Sequence, residues 1–390
     1  MSAVSAINVE SLCEGFEVPD SVKRFENVPN REVIFGCGTL TRIGSKCAEL
    51  GGSRVLIVTD PGIAKTGHPL RAADSILEAD KSAFIFDDVH ENPTTDDVER
   101  CVEFARQNRI DLIVGLGGGS SMDTAKGCNF ILTNGGEMKD YWGVDKAPKM
   151  MLPFIAVPTT SGTGSECQSF ALIADAKTHA KMACGDKKAA AAVAILDPEL
   201  TVTQPYAVTS HTGIDAIAHA LETAVCKKRT EISSAYSSAA WHLLNSGFEK
   251  VLRSPEDIVS RAQMQLGAAF AGAAIENSML GIAHSCANPL TAHFGIVHGQ
   301  AVGVMLPHVI DFNSRGSDAA EIYQSLGTGL STRITELLQV GGIKTRLSEL
   351  KFDEAKLPQL SEEAAAQWTA QFNPVPVTAS DLQEVYQNAI

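Results

Sequence analysis

No CxxC pair occurs in the 390 residues, and the nine cysteines, spread from Cys13 to Cys286, are odd in number. That excludes a disulfide framework for a chain of this size. The cysteines read as reduced thiols of a cytoplasmic protein, most of them serving as small buried hydrophobes. No run of about 18 apolar residues is present, so no segment is expected to span a membrane. Met1 to Asp20 carries acidic residues and no apolar core segment, unlike a signal peptide. Basic runs are missing as well. Lys and Arg number 32 against 46 Asp and Glu, a formal net charge of -14, which argues against a broad nucleic-acid or anionic-membrane surface. An anionic ligand can still bind locally, at a helix N-terminus or on backbone amides. Repeats and low-complexity segments are absent too, apart from a short Ala-rich patch at Lys187 to Val193. What remains, 44% hydrophobic and 20% charged residues, is the composition of a globular protein, and the length suggests two domains.

The first half alternates strands and helices. Glu32 to Gly36 reads as a strand, followed by a helical stretch from about Thr39 to Leu50. Arg54 to Asp60 is a nearly continuous β-branched run, the pattern of a strand buried on both faces. Further strands are expected at Ser82–Phe86, Asp111–Gly115, Pro153–Val157 and Val193–Leu196. A helix is expected over Thr95–Asn108, capped by Thr94 or Thr95. Ala174 to Thr178 has the composition of a hairpin turn, with Lys181 in a following strand. Asp197-Pro198-Glu199-Leu200 closes the last strand. Such alternation implies a mainly parallel sheet covered on both faces, with ligands bound off the carboxyl ends of its strands.

Three strand ends carry unusual chemistry. Asp60 can hydrogen-bond ribose hydroxyls and repel a 2′-phosphate, or it can simply cap the turn at Pro61. Gly117-Gly118-Gly119-Ser120 lies between a strand and a helix, where three glycines let the backbone approach a pyrophosphate and the helix start supplies N–H donors. The alternative is a plain tight turn. The segment is neither a G-x-G-x-x-G fingerprint, since Ser120 stands at the third glycine, nor a P-loop, since no G-K-S/T follows. Asp123 and Lys126 lie farther along the same helix, and spacing leaves their role open. Finally, Thr159-Thr160-Ser161-Gly162-Thr163 is dense in hydroxyls and glycines. That suits a cofactor-facing loop or a solvated one.

From Gln204-Pro205-Tyr206 onward the strand-like runs almost vanish. We expect an α/β dinucleotide-binding domain at 1–205 and an all-helical domain at 206–390, with helices near 213–226, 232–252, 256–276, 280–293 and 299–312. Asp215 and His219 are four apart, on one helical face. His284 sits in an apolar Gly/Ala segment, and His298 ends a loop before another helix. Each histidine taken singly is more often a satisfied core residue. Together, three His and one Asp make a four-ligand set suited to Zn(II) or Fe(II).

The combination resembles the iron-dependent (group III) alcohol dehydrogenases over nearly the whole chain. The matching pieces are Leu56–Asp60, Asn92-Pro93-Thr94, Gly117–Lys126, Pro158–Thr163, Asp197–Leu200, Gly213–Ala220 and His298-Gly299. The resemblance implies a dehydroquinate synthase-like two-domain plan, with the active site in the cleft between the domains and the metal on Asp215, His219, His284 and His298. It implies the cofactor near Asp60, Gly117, Gly118, Gly119, Ser120, Asp123, Thr159, Thr160, Thr163, Lys181 and Leu200. Asp60 implies NAD over NADP. The implied reaction is hydride transfer between an ionised small alcohol and NAD, giving an aldehyde or ketone, in a cytoplasmic homodimer or larger homo-oligomer with no nucleic-acid or membrane partner. Phe170, Ile275 and the segment near Trp142 are apolar candidates for lining the substrate site. One departure stands out. Many members carry a second histidine four residues after the His284 position, a proposed proton relay, where this chain has Asn288. Asparagine cannot shuttle a proton at neutral pH, so water and the cofactor ribose are the expected route, with His293 as the alternative. Two other readings are a lyase of the dehydroquinate synthase type and a non-catalytic protein with a degenerate site. The first would need a cluster of Lys and Arg beside the metal segments, and none is there. The second sits poorly with four intact ligands.

Overall fold

The computed structural model describes residues 7–178, 180–316 and 318–390; the first six residues of the N-terminal stretch read above lie outside it. The chain divides into two compact units. One takes residues up to 11, 28–160 and 164–203, and the other takes 12–27, 161–163 and 204–390.

The first unit is built on nine strands: β1 (Glu32–Phe35), β2 (Arg54–Val58), β3 (Ser82–Phe86), β4 (Leu112–Gly117), β5 (Gly143–Val144), β6 (Phe154–Pro158), β7 (Phe170–Ala174), β8 (Lys181–Gly185) and β9 (Val193–Leu196). Six form a sheet in the order β1-β9-β6-β4-β2-β3, with every pairing parallel. The near-continuous apolar runs follow from burial on both faces. Val55 and Ile57 of β2 join Leu112, Val114 and Ile155 in one core cluster, while Leu56 and Val58 join Ile113 and Phe154 in the other, as the two-residue period of a strand requires. The helices α1 (Thr95–Gln107) and α2 (Gly119–Asn134) contribute to the second of these clusters. Thr94 closes a capping box with Asp97 at the start of α1, which is why that helix begins where the sequence places it.

Chain direction across the sheet reverses between β2 and β4. From β2 the chain steps outward to the edge strand β3, then crosses back to β4 on the other side of β2. This is the topological switch point, where the strand ends of an open parallel sheet leave a crevice. Asp60 and Gly117–Gly119 both sit there, one after β2 and the other at the end of β4. The hairpin read at Ala174–Thr178 joins β7 and β8, which pair antiparallel and form a small second sheet with β5. The sequence reading missed β5 and β7: β5 has two residues, and Phe170-Ala171-Leu172-Ile173-Ala174 has no polar alternation to mark a strand.

The second unit is helical. Its central members are α3 (Tyr206–Val225), α4 (Glu231–Arg253), α5 (Ile258–Glu276), α6 (Ile282–Phe294) and α7 (His298–Asn313). Helix α3 begins seven residues before the expected start. Tyr-Ala-Val-Thr-Ser-His-Thr is β-branched and hydroxyl-rich, a poor helix former. Tertiary bonding overrides it: Ser210 Oγ donates to the Gly341 carbonyl, while Thr212 Oγ1 is satisfied within the helix by donating back to the Val208 carbonyl. The longer helix places Asp215 near its middle rather than in its first turn. A second difference concerns His298, which is the first residue of α7 and not the end of a loop.

Candidate metal and dinucleotide sites

Helix α3 is buried along most of its length, and its polar face is buried with it: Asp215, His219 and Glu222 are 6%, 5% and 2% exposed. These residues fall at i, i+4 and i+7, one stripe of the helix. His284 is the third residue of α6 and His298 the first of α7. All three imidazoles turn their Nε2 atoms to one oxygen. From Asp215 Oδ1 the distances are 3.3 Å to His284, 3.5 Å to His219 and 3.6 Å to His298. The His219 and His284 rings stack with centroids 4.8 Å apart. Asp215, His284 and His298 offer ligand atoms that all lie within 4.8 Å of one another; His219 adjoins this trio through Asp215.

These separations fit a metal. Ligand atoms about 2.1 Å from an ion at tetrahedral angles stand about 3.4 Å from each other, which is the spacing observed around Asp215. The donor set of three imidazole nitrogens and one carboxylate suits Fe(II) or Zn(II). Electrostatics agree. Burial works against the Asp215 charge, but His219, His298 and His284 outweigh it and hold the carboxyl well below the usual carboxylate range. Burial lowers the His219 pKa. At His284 burial also opposes the charge, but Glu222 and Asp215 prevail and lift the pKa to about 9.

Glycine makes the convergence possible. A Cβ on Gly299 would stand 2.1 Å from the His211 carbonyl oxygen of α3. Only glycine lets the start of α7 approach the α3 backbone so closely, and that approach is what carries His298 to Asp215. The sequence reading missed Glu222. Its carboxylate accepts from His284 Nδ1 at 2.5 Å and from the Ala283 N–H at 2.6 Å. The signal was present, an acid three residues beyond His219 on the same helical stripe.

Asn288 lies one turn past His284, and its amide donates to Gln367 Oε1 at 3.2 Å. His293 is nine residues beyond His284, which is about half a turn round the helix, on the opposite side. Its Nε2 bonds Glu363 at 2.8 Å. His293 therefore belongs to a different face of the helix from His284.

In the α/β unit the glycine turn has specific requirements. Gly117 adopts φ +156°, and a Cβ there would lie 2.3 Å from Ser121 Oγ; one at Gly118 would lie 3.2 Å from Thr160 Cγ2. Helix α2 then starts at Gly119 with no side-chain cap, which leaves its positive end available to an anion. Around it Thr59 Oγ1, Ser121 Oγ and Thr159 Oγ1 are buried without hydrogen-bond partners. Buried hydroxyls of this kind are normally satisfied, so a polar ligand at the strand ends fits what is there. Asp60 caps the turn, as one of its two readings expected. Its Oδ1 accepts from the N–H groups of Gly62 and Ile63, capping a short helix, while Oδ2 lies 3.5 Å from the position of a Cβ on Gly117. The loop from Thr159 onward is not solvated, since Thr159, Ser161, Ser165 and Glu166 are all buried. Lys126 anchors it by donating to the carbonyls of Ser165, Gln168 and Phe170 and to Ser165 Oγ. Asp123 has its pKa raised to about 6 by burial, an effect that Lys126 and Lys181 oppose. Leu200 is fully buried within the core cluster of Ile34 and Leu116, and Lys181 is an exposed residue of β8. Among the apolar candidates, Phe170 packs over Gly185, Ile275 is buried in α5 and Trp142 is 49% exposed.

Comparison with known proteins agrees with this chemistry. A family profile described as "Iron-containing alcohol dehydrogenase" matches residues 30–198, and one described as "Fe-containing alcohol dehydrogenase family, C-terminal" matches 209–390. An NAD-dependent methanol dehydrogenase of Bacillus methanolicus is 34% identical over 377 residues, covering 93% of this chain and 99% of that protein. A 1,3-propanediol dehydrogenase of Klebsiella pneumoniae is 30% identical over 93% of this chain and 97% of its own length. Among solved structures, a 1,3-propanediol oxidoreductase superposes with a TM-score of 0.89 at 29% identity, covering 93% of this chain and 98% of that one. A sulfoacetaldehyde reductase of Bifidobacterium kashiwanohense, solved with NAD+, gives 0.85 at 28% identity over 93% of this chain and 97% of its own. With both profiles matched in sequence order over most of its length, the chain belongs to the iron-containing alcohol dehydrogenase family, oxidoreductases acting on CH–OH groups.

Proposed function

We propose that this protein is an NAD-linked, metal-dependent dehydrogenase that interconverts a small alcohol and its aldehyde, with Asp215, His219, His284 and His298 as the ligands of one Fe(II) or Zn(II). The observation that carries the reading is the convergence of three imidazole Nε2 atoms within 3.3 to 3.6 Å of a single carboxylate oxygen. When bound, the divalent ion supplies Lewis acidity, which makes a hydroxyl easier to ionise and polarises a carbonyl. The protein's own residues do the rest. Asp215 contributes a negative charge to two buried imidazoles, His219 and His284, and a partly exposed one, His298. Gly117 to Ser120 and the start of α2 receive the pyrophosphate, and the hydroxyls of Thr159, Thr160 and Thr163 face the cofactor. Asp123 and Lys181 belong to the same proposed surface, and Leu200, buried in the core, would back it rather than face the cofactor. Asp60 selects NAD by accepting from ribose hydroxyls and repelling a 2′-phosphate. Asn288 cannot carry a proton, so the proposed route for the hydroxyl proton is water and the cofactor ribose.

Of the expected 1–205, residues 12–27 and 161–163 fall in the helical unit. The assignment of cofactor to the α/β unit and metal to the helical unit is part of this proposal. So is a cytoplasmic homo-oligomer. All nine cysteines are thiols, eight of them buried, which suits a reducing compartment, and no helix among the described residues is long and apolar enough to cross a membrane. Light scattering tests the oligomer. Relatives named for methanol and 1,3-propanediol support a small, weakly polar alcohol. The decisive experiment is a panel of short alcohols and aldehydes with NAD and NADP, on protein reconstituted with Fe(II) and separately with Zn(II). His284→Ala is expected to lose bound metal and NADH formation together. Full turnover in metal-stripped protein would overturn the reading.

A further inference from the structure

His284 is held at both ends of its ring. His284 faces Asp215 through Nε2 at 3.3 Å, and its Nδ1 meets Glu222 Oε2 at 2.5 Å. His219 differs: its Nδ1 is buried without a hydrogen-bond partner of good geometry, near the Gly162 carbonyl. Glu222 is itself fixed on both oxygens. Oε1 accepts from the N–H of Ala283, the second residue of α6, while Oε2 engages the side chain of the third. The carboxylate therefore sits on the N-terminus of a 13-residue helix, where the helix dipole favours negative charge. Gly281 makes room for it, since a Cβ there would stand 3.2 Å from Glu222 Oε1 and 3.1 Å from Asn373 Oδ1.

The chemistry follows from hydrogen-bond roles. An ionised carboxylate has no proton to give, so the hydrogen between Glu222 and His284 belongs to Nδ1. A ring with Nδ1–H has its lone pair on Nε2 when neutral, and Nε2 is the atom that points at Asp215. We infer that Glu222 is a positioning residue for the metal: from the capped start of α6 it locks the His284 ring and its Nδ1–H tautomer, and presents a strengthened Nε2 donor to the ion. This rests on the proposed Asp/His₃ metal site and extends it by one residue on α3.

Glu222→Gln preserves size but not the hydrogen-bond pattern. A glutamine side chain has one acceptor oxygen for two N–H donors, those of Ala283 and His284 Nδ1. If its oxygen serves Ala283, its amide nitrogen faces Nδ1 and favours the wrong tautomer. If it turns round, it opposes the Ala283 N–H. Removal of such a carboxylate partner typically weakens metal binding 10- to 100-fold.

The test measures Zn(II) affinity by competition with a chromophoric chelator for the wild-type protein, Glu222→Gln and His284→Ala, together with thermal unfolding of each protein stripped of metal. We expect the Zn(II) Kd of Glu222→Gln to rise roughly 10- to 100-fold while the stripped proteins unfold at closely similar temperatures. Equal Zn(II) affinity in wild type and Glu222→Gln overturns the inference. So does a fall in affinity that only tracks lost thermal stability. If the wild type takes up no Zn(II), or His284→Ala takes up as much, the metal-site reading itself fails, which distinguishes the two. Imidazole 15N spectra of the Zn(II)-loaded wild type decide the matter independently of any variant's folding. A proton retained on His284 Nδ1 supports the inference, and metal on Nδ1, or an unprotonated Nδ1, sinks it.

Discussion

The glycine turn of the α/β unit and the histidine cluster of the helical unit gather polar groups in opposite ways. At the glycine turn the work falls to backbone. Consecutive residues at the end of one strand remove their own side chains and expose an uncapped helix start. At the cluster the work falls to side chains, carried from three helices to one carboxylate oxygen across a largely buried interior. A contiguous backbone device is robust to the rest of the fold but intolerant of a single Cβ. A side-chain cluster tolerates its neighbours only if the helices stay in register.

Substitutions at the two glycines test that contrast, because each should damage one site and spare the other. The largest effect is expected at Gly299. An added Cβ meets a backbone oxygen at 2.1 Å, which cannot rotate away, so Gly299→Ala should destabilise by about 3 kcal/mol, the upper end for overpacking. It should also weaken metal uptake and leave NAD affinity intact. Chemical denaturation and metal analysis read both parts; unchanged metal affinity would mean that α7 does not need this approach to position His298.

A comparable effect comes from Glu166, in the buried loop after β6. Burial raises its pKa from 4.5 to about 7. Between those values the folded state holds a proton that the unfolded state has released, so stability falls as pH rises through this window, and the loss is complete above about 7. Glu166→Gln lacks this titration. Relative to wild type it should gain stability from pH 5 to pH 8, on the order of 3 kcal/mol, read as the difference in unfolding free energy at the two pH values. A flat difference would show that the carboxylate is not penalised there.

Gly117→Ala is expected to be milder for stability, because the obstacle is a single side chain, Ser121, with Oγ at 2.3 Å and Cβ at 2.8 Å, rather than backbone. The residue nonetheless needs φ +156°, and a loss of about 2 kcal/mol at the turn should appear as NAD binding weakened more than tenfold, with metal content unchanged in titration and elemental analysis. The smallest effect separates the two roles of Asp60. Asp60→Ala removes the cap on Gly62 and Ile63 and should cost about 1 kcal/mol. Asp60→Ser keeps a capping oxygen and should retain most of that stability. Both should shift the ratio of kcat/KM for NAD over NADP toward NADP. A ratio unchanged in both variants would leave Asp60 with the cap alone.

How far each site was legible follows from the same contrast. The six parallel strands, the glycine turn and Asp60 were readable because each is encoded by neighbours in sequence: a β-branched run, three glycines, an acid at a strand end. The histidines were readable as a set only through residue type and the resemblance, since nothing in the spacing of His219, His284 and His298 brings them together. Glu222 escaped notice although it shares a stripe with Asp215 and His219, because an acid on a helix is usually a solvated one. The early start of α3 was missed for a related reason, that Ser210 is held by a distant partner, the Gly341 carbonyl, that local propensity does not count.

By itself, then, the sequence determined what is local: the strand-helix alternation, the parallel sheet, the anion-ready turn after β4 and the list of donors able to hold a divalent ion. Only the tertiary structure decided that three Nε2 atoms meet one Asp215 oxygen, that Gly299 permits the meeting, that His293 faces away and that Glu222 holds His284 from behind. The physical reason is range. Backbone conformation and periodicity are set within a few residues, whereas the distance between side chains on separate helices is set by how those helices pack, and a linear pattern does not contain it.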